Sequence, residues 1–240
     1  MFSSDVPIEK AEKDVLNRKS FAASLAKVMI NHDSSEAFTI GLYGAWGSGK
    51  TSVINMVTET VEELNPDIII VKFNPWLCSD SKQLVTQFFK QLSSAMKLKK
   101  HTWTDAAASI DSYSELLELA GSIGPTSLIL STIAKVLGKR AKAYIDKNDG
   151  DLQKKKNEIV NVLSEQKPKI IVTIDDIDRL SEVEIVSVFQ LIKSLADFPH
   201  TIYLLAFDYD VVVRALTKVQ KGNGAEYLQK IVQVPFAFHK

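Results

Sequence analysis

An apolar run, Phe38–Tyr43, passes directly into Gly44-Ala45-Trp46-Gly47-Ser48-Gly49-Lys50-Thr51-Ser52, and a helix-forming segment follows. Glycines at 44, 47 and 49 permit a compact backbone path whose successive N–H groups point at phosphate oxygens. The N-terminus of the next helix adds partial positive charge there. The spacing is that of a phosphate-binding loop, Gly-x-x-x-x-Gly-Lys-[Ser/Thr], in its strand–loop–helix setting. Lys50 is then placed to reach the β- and γ-phosphates of a nucleotide and the Thr51 hydroxyl to ligate Mg²⁺. Every residue from Gly44 through Ala45, Trp46, Gly47, Ser48, Gly49, Lys50 and Thr51 to Ser52 is expected at the nucleotide. Trp46 leaves two roles open, stacking on the nucleotide or covering the loop against the domain.

A phosphate loop works with a carboxylate near the metal, and Ile170-Ile171-Val172-Thr173-Ile174-Asp175-Asp176 supplies one at the end of a continuous apolar strand. Asp175 is expected to hold Mg²⁺ through its water shell and Asp176 to polarise the attacking water, with capping of the next helix as the alternative for both. Asp178 and Arg179 complete the run; a surface ion pair and a role in the site or in subunit contacts both stay open. A further strand ends Ala206-Phe207-Asp208, at the carboxyl edge where open α/β sheets bind ligands. A sensing or water-positioning role there makes Asp208 a catalytic candidate, against helix capping.

Phe38–Tyr43, Ile68–Phe73, Ile170–Asp175, Thr201–Phe207 and Ile231–Phe236 are rich in Ile, Val, Leu and Phe without strict alternation. That is the pattern of parallel strands covered on both faces by helices, so the fold class is α/β. Helices are expected over Glu12–Asn31, with Val15, Phe21, Leu25, Val28 and Met29 at helical spacing, from the Gly loop to the Asn65-Pro66 turn, and over Ser81–Lys99, capped by Ser79 or Asp80. Residues 101–167 exceed what one crossover needs and are expected to form a helical insertion. Its pieces are Asp105–Ala120, Ser127–Lys147 and Asp151–Gln166, broken at Gly121–Pro125 and at Asn148-Asp149-Gly150.

The 240 residues suit one large domain, 1–240. With 29 basic and 29 acidic residues no global field draws the chain to nucleic acid or an anionic membrane. One cysteine, Cys78, rules out an internal disulfide and reads as a packing residue. The N-terminus lacks the basic start and apolar run of a secretory signal, and Thr126–Gly138 is short for a spanning helix. A cytoplasmic location without membrane association is expected.

These residues together resemble the KAP P-loop NTPases, a group allied to the AAA+ and signal-transduction ATPases. The resemblance is carried by Asp14-Val15-Leu16-Asn17-Arg18, the Gly44–Thr51 loop, Phe73-Asn74-Pro75-Trp76, Asp175-Asp176-Ile177-Asp178-Arg179, Ala206-Phe207-Asp208 and Tyr227–Phe236. It implies a sheet ordered 5-1-4-3-2, ATP rather than GTP, and an insertion between the two nucleotide-site strands that in many relatives crosses the membrane; here its apolar content is too thin for that. It further implies that the segment before the first strand, with Asn17, Arg18 and Phe21, wraps the adenine, Phe21 being otherwise a core residue. A neighbouring subunit can supply a cation to such sites, for which Arg179, Arg214 and Lys230 are candidates, so a homo-oligomer is expected. Similar proteins continue into a helical region and further domains, which implies an effector or protein partner, and bacterial members are often linked to defence against phage or plasmids.

Three functions follow. An ATP-driven switch hydrolyses Mg-ATP, a small-molecule kinase passes the phosphoryl group to a hydroxyl, and a scaffold binds nucleotide without turnover. The adjacent Asp175-Asp176 pair favours water as acceptor, and no Asn-Lys-x-Asp segment follows the fourth strand to read guanine.

Overall fold

A computed structural model describes residues 7–33, 35–78, 80–99, 103–119, 139–220 and 222–238. Five strands, β1 (Phe38–Tyr43), β2 (Ile69–Phe73), β3 (Ile170–Ile174), β4 (Thr201–Phe207) and β5 (Val234–Ala237), form one parallel sheet. Their order is β2-β3-β4-β1-β5, which is 5-1-4-3-2 read from the opposite edge. Central β4 is buried at every residue. Because successive side chains alternate, its Tyr203, Leu205 and Phe207 enter one core and its Ile202, Leu204 and Ala206 the other.

The second of these cores is closed by α1 (Lys19–Asn31) and α2 (Lys50–Leu64), through Leu25, Met29, Val53 and Val57. The opposite face is covered by α3 (Ser81–Lys99), α4 (Thr104–Leu119), α5 (Lys139–Gln166), α6 (Glu182–Gln190), α7 (Tyr209–Gln220) and α8 (Gly224–Gln229). Phe89 of α3 meets its neighbour Phe88 on the same helix and Tyr113 of α4 edge to face, with ring centroids 5.2 and 5.3 Å away. Each such pair adds about 0.5–1.5 kcal/mol beyond the area it buries. Tyr113, Ile110, Ile159 and Leu163 are fully buried in that same core, so α4 and the C-terminal half of α5 pack as part of the domain. Tyr203 is buried with its hydroxyl donating to Ala196 O at 2.6 Å, and burial pushes its phenol far up.

Several expected boundaries move. The first helix begins at Lys19 and not Glu12, after a short 3-10 turn at Ala11–Lys13. Asp14 is the cause: its carboxylate accepts from the N–H groups of Leu16 and Lys19 at 3.0 and 2.7 Å and also from Arg18 N–H, pulling the chain into a cap instead of a helical turn. Val15 therefore leaves the core face and stands 89% exposed. Asn148-Asp149-Gly150 does not break the chain, since α5 runs through it; a single Gly costs a helix interior only about 1 kcal/mol. The fifth strand starts at Val234, Ile231 and Val232 being buried in the turn after α8. Asp80 caps α3, its carboxylate accepting from Gln83 N–H at 2.8 Å. Ser79, the Gly121–Pro125 break and residues 127–138 of the expected second insertion helix lie outside the described residues. Cys78 packs against the core, and burial, followed by Glu184 and Asp80, pushes its thiol up, as suits a packing residue. No helix among the described residues is long and apolar enough to cross a membrane.

Candidate nucleotide site

β1 ends at Tyr43 beside Phe207 of β4, and the chain turns at once into the loop, where Gly44 N–H donates to Phe207 O at 3.2 Å. Gly47 and Gly49 both have positive φ, +74° and +80°. A Cβ at Gly49 would stand 2.9 Å from Arg18 Nη1, so both backbone strain and the arginine reserve that position for glycine. Lys50 opens α2 and donates through Nζ to Gly44 O at 2.7 Å and Ala45 O at 3.2 Å, folding its stem back across the loop. Trp46 to Ser52 line a cleft of about 300 Å³, whereas Gly44 and Ala45 are not among its lining residues.

The cleft's far wall is the carboxyl end of β3. β4 lies between β1 and β3, so the loop and the acidic pair face each other across one strand. Asp175 is hydrogen-bonded by the Thr51 side chain and accepts from Asp176 N–H at 2.8 Å. Burial, the largest influence, pushes its carboxyl above the usual range, against those hydrogen bonds and the charge of Lys50. Asp176 has φ +58° and points elsewhere: its Oδ1 pairs with Arg179 Nε at 2.7 Å and its Oδ2 accepts from Asn74 Nδ2 at 3.2 Å. The Arg179 guanidinium carbon stands 4.4 Å from the Trp46 ring centroid and 5.1 Å from that of Trp76. Asp178 also lines the cleft.

Other candidates fall elsewhere. Trp46 is 62% exposed and flanks Arg179, so it does not cover the loop against the domain. Arg18 does not line the cleft; it donates from below to Ser48 O and lies over the Phe238 ring, bracing the loop. Phe21 meets Phe236 and Phe238 edge to face, with centroids at 5.2 and 5.5 Å, and is a packing residue. Asp208 is also absent from the cleft lining: its Oδ1 accepts from Asp210 N–H at 3.0 Å and Val211 N–H at 3.3 Å, capping α7. Arg214 and Lys230 are exposed. The apolar wall next to the loop is instead Pro7, Ile8, Val15 and Leu16. Ile8 is tied to α2, its N–H donating to Ser52 Oγ at 3.2 Å and its O accepting from Asn55 Nδ2 at 2.9 Å. The sequence points to the segment before β1 for the adenine, through Asn17, Arg18 and Phe21, whereas Pro7, Ile8, Val15 and Leu16 of that same segment line the cleft; the roles of Asn74 and Trp76 were not legible. The Asp14 cap was the usable signal, because it releases Val15-Leu16 from the helix face.

A family model described as the KAP family P-loop domain matches residues 18–240. The chain belongs to the KAP family. This KAP domain is 25% identical over 252 residues to the Phage T7 exclusion protein of Escherichia coli (strain K12), covering 97% of its own length and 34% of that protein. It thus spans about a third of the curated relative it matches. Among solved structures it is similar to the ORC2 protein of Aeropyrum pernix in its ADPNP-ADP complexes, with a TM-score of 0.44, 13% identity, and coverage of 94% of this chain and 48% of that one.

Nucleotide binding goes with the P-loop of the KAP domain, and its donors also fit Mg²⁺. Thr51 and Asp175 offer one hydroxyl and one carboxylate, both hard oxygens, and no group of three or more His, Cys, Asp or Glu that could hold a metal occurs among the described residues. Mg²⁺ keeps several waters and takes one or two protein donors beside phosphate oxygens. Because the Asp175 pKa is raised by folding, its stabilising contribution is complete below the ordinary carboxylate value and is lost as pH rises through the raised one; above that, the charge sits buried at a cost that a cation offsets. Asp175→Asn in the KAP domain should therefore melt no lower than the parent without metal. It should also lose the Mg²⁺-dependent part of nucleotide affinity, read by thermal melting with and without Mg²⁺ and ATP.

Proposed function

We propose that this domain binds Mg-ATP and hydrolyses it with water as the phosphoryl acceptor, in the manner of an ATP-driven switch. The observation that carries the reading is the division of labour between adjacent carboxylates. Asp175 is turned to the Thr51 hydroxyl at the head of α2, while Asp176 is turned away from it within the same cleft. In the step proposed, the water oxygen bonds to the γ-phosphorus as the bond to the β,γ-bridging oxygen breaks. The nucleoside diphosphate leaves with the electron pair, and Asp176 takes the water proton. Lys50 and the loop N–H groups hold the phosphates in line, and Thr51 with Asp175 would hold Mg²⁺, which when bound neutralises charge on the β- and γ-oxygens.

Phosphate release without an added acceptor tests the reading. A kinase would release phosphate only when a hydroxyl substrate is supplied, and a scaffold would bind ATP tightly with no turnover. Turnover per chain that rises with protein concentration would support a site completed between copies. Its similarity to a phage exclusion protein supports a role in phage exclusion, with residues 101–167 and any neighbouring domain as the places where hydrolysis is read out. A cytoplasmic location is part of the same proposal.

The base is expected against Ile8, Val15 and Leu16, the apolar wall of the cleft. Leu16 is 58% exposed, and stacking on a base would cover it. Leu16→Asp should weaken ATP binding by about tenfold, the scale of one half-buried aliphatic side chain, and leave inorganic triphosphate binding intact. Calorimetry with both ligands checks this, and equal losses would place the base elsewhere.

A further inference from the structure

Three loops that are distant in sequence converge on Arg179. Trp46 belongs to the phosphate loop after β1, Trp76 to the turn after β2, and Arg179 to the 3-10 turn Ile177–Arg179 after β3. The two tryptophans are 62% and 53% exposed, so neither is anchored in the core, yet both present ring faces to one guanidinium. Electron-rich faces hold a cation without satisfying its N–H groups, which leaves it free to turn within the slot. Among the described residues it is ion-paired with the Asp176 carboxylate, Nε standing 2.7 Å from Oδ1. A guanidinium carries five N–H donors in a planar fork. Arg179, Asp176, Trp46, Lys50 and Thr51 all line the same cleft.

The acidic partner is equally constrained. Asp176 Oδ1 stands 2.7 Å from Arg179 Nε in an ion pair and its Oδ2 accepts a hydrogen bond from Asn74 Nδ2 at 3.2 Å, so each oxygen already has a partner in the place a water would take. Some event must loosen one of the two. The stronger is the charged contact, and the group best able to compete for a guanidinium is a terminal phosphate, which offers more negative charge and the geometry for a fork.

We propose that Arg179 acts within its own chain as a sensor of the terminal phosphate: the Trp46–Trp76 slot lets the guanidinium pass from Asp176 to the γ-phosphate of a nucleoside triphosphate, freeing Asp176 to receive the water proton. This rests on the Mg-ATP reading above and adds to it the residue that distinguishes triphosphate from diphosphate. A diphosphate has no γ-phosphate, so it leaves the Arg179–Asp176 pair closed. Lysine at 179 keeps the charge but has neither the planar face nor the fork, so it cannot do both jobs.

The three tryptophans make the movement visible. Trp103→Phe leaves Trp46 and Trp76 as the reporters, and Trp103 lies outside the cleft, packed on the core. In that background, with Mg²⁺, a non-hydrolysable ATP analogue should change the tryptophan emission and ADP should leave it near the free value. Arg179→Ala should erase that difference, keep ADP affinity and lower kcat by about 10³–10⁵-fold, the worth of an arginine on a transferring phosphoryl group. Arg179→Lys should not restore the difference. Equal emission responses to the two nucleotides, with both bound by calorimetry, would overturn the proposal before any arginine variant is needed. Unchanged turnover in Arg179→Ala would overturn it too. Recovery of turnover on mixing Arg179→Ala with Lys50→Ala chains would show the arginine serving a neighbouring subunit and equally end the proposal. If neither nucleotide binds the Trp103→Phe chain or its parent, the nucleotide site itself falls, an outcome distinct from the others.

Discussion

Asp176→Asn should keep Mg-ATP bound and lose turnover by about 10²–10⁴-fold, the usual worth of a positioned general base. The substitution is clean because Asp176 has φ +58°, a left-handed conformation that asparagine tolerates as well as aspartate. An amide oxygen can still accept from Arg179 Nε, so the turn Ile177–Arg179 should keep its shape. What disappears is the capacity to take a proton. A fluorescent ATP analogue reports affinity and phosphate release reports chemistry. Near-normal turnover would move the base to another carboxylate of the cleft. Asp178 lines it, whereas Asp208 spends its Oδ1 on the N–H groups of Asp210 and Val211.

Lys50→Ala should collapse nucleotide affinity while far-ultraviolet circular dichroism stays that of the parent. The side chain crosses the loop to Gly44 O and Ala45 O and belongs to neither buried core, so the sheet and its helices lose nothing by its removal. The nucleotide loses a cation at its β- and γ-phosphates. Charge-assisted hydrogen bonds are worth about 1.5–3 kcal/mol each, so two of them set a loss of roughly 10²–10⁴-fold. Calorimetry with ATP measures it, and an unchanged affinity would remove the phosphate-loop assignment altogether.

The strands were legible because burial on both faces leaves a continuous apolar run: β1 and β4 match their expected spans, and β2 and β3 each differ by one residue at one end. β5 was harder to place. It is an edge strand whose side chains are alternately half-buried and exposed, and the apolar Ile231 and Val232 before it are buried in a turn, which composition alone does not separate from a strand. The start of α1 failed for a local reason. Val15 has helical spacing to Leu25 and Met29, but one carboxylate, Asp14, outcompetes the helix for its N–H groups.

At the site, what the sequence determined by itself is what neighbouring residues impose on one another. The glycines, lysine and threonine of Gly44–Thr51 act through a backbone path spanning a single turn, and Asp175-Asp176 emerges wherever an apolar strand stops. Roles that depend on where a side chain lands across the sheet were decided only by the tertiary structure. Arg18 and Asp208 carry charges as suggestive as any in the chain, yet one braces the loop from beneath through Ser48 O and the other caps its own helix. Arg179, which spacing left open between the surface and the site, enters the cleft because β3 and β4 stand between β2 and β1 in the sheet. That order brings the turns after β1, β2 and β3 to one edge, with Trp46, Trp76 and Asn74 around the Asp176–Arg179 pair. Asn74 and Asp176 lie 102 positions apart, and only the order and register of the strands brings them within a hydrogen bond of one another.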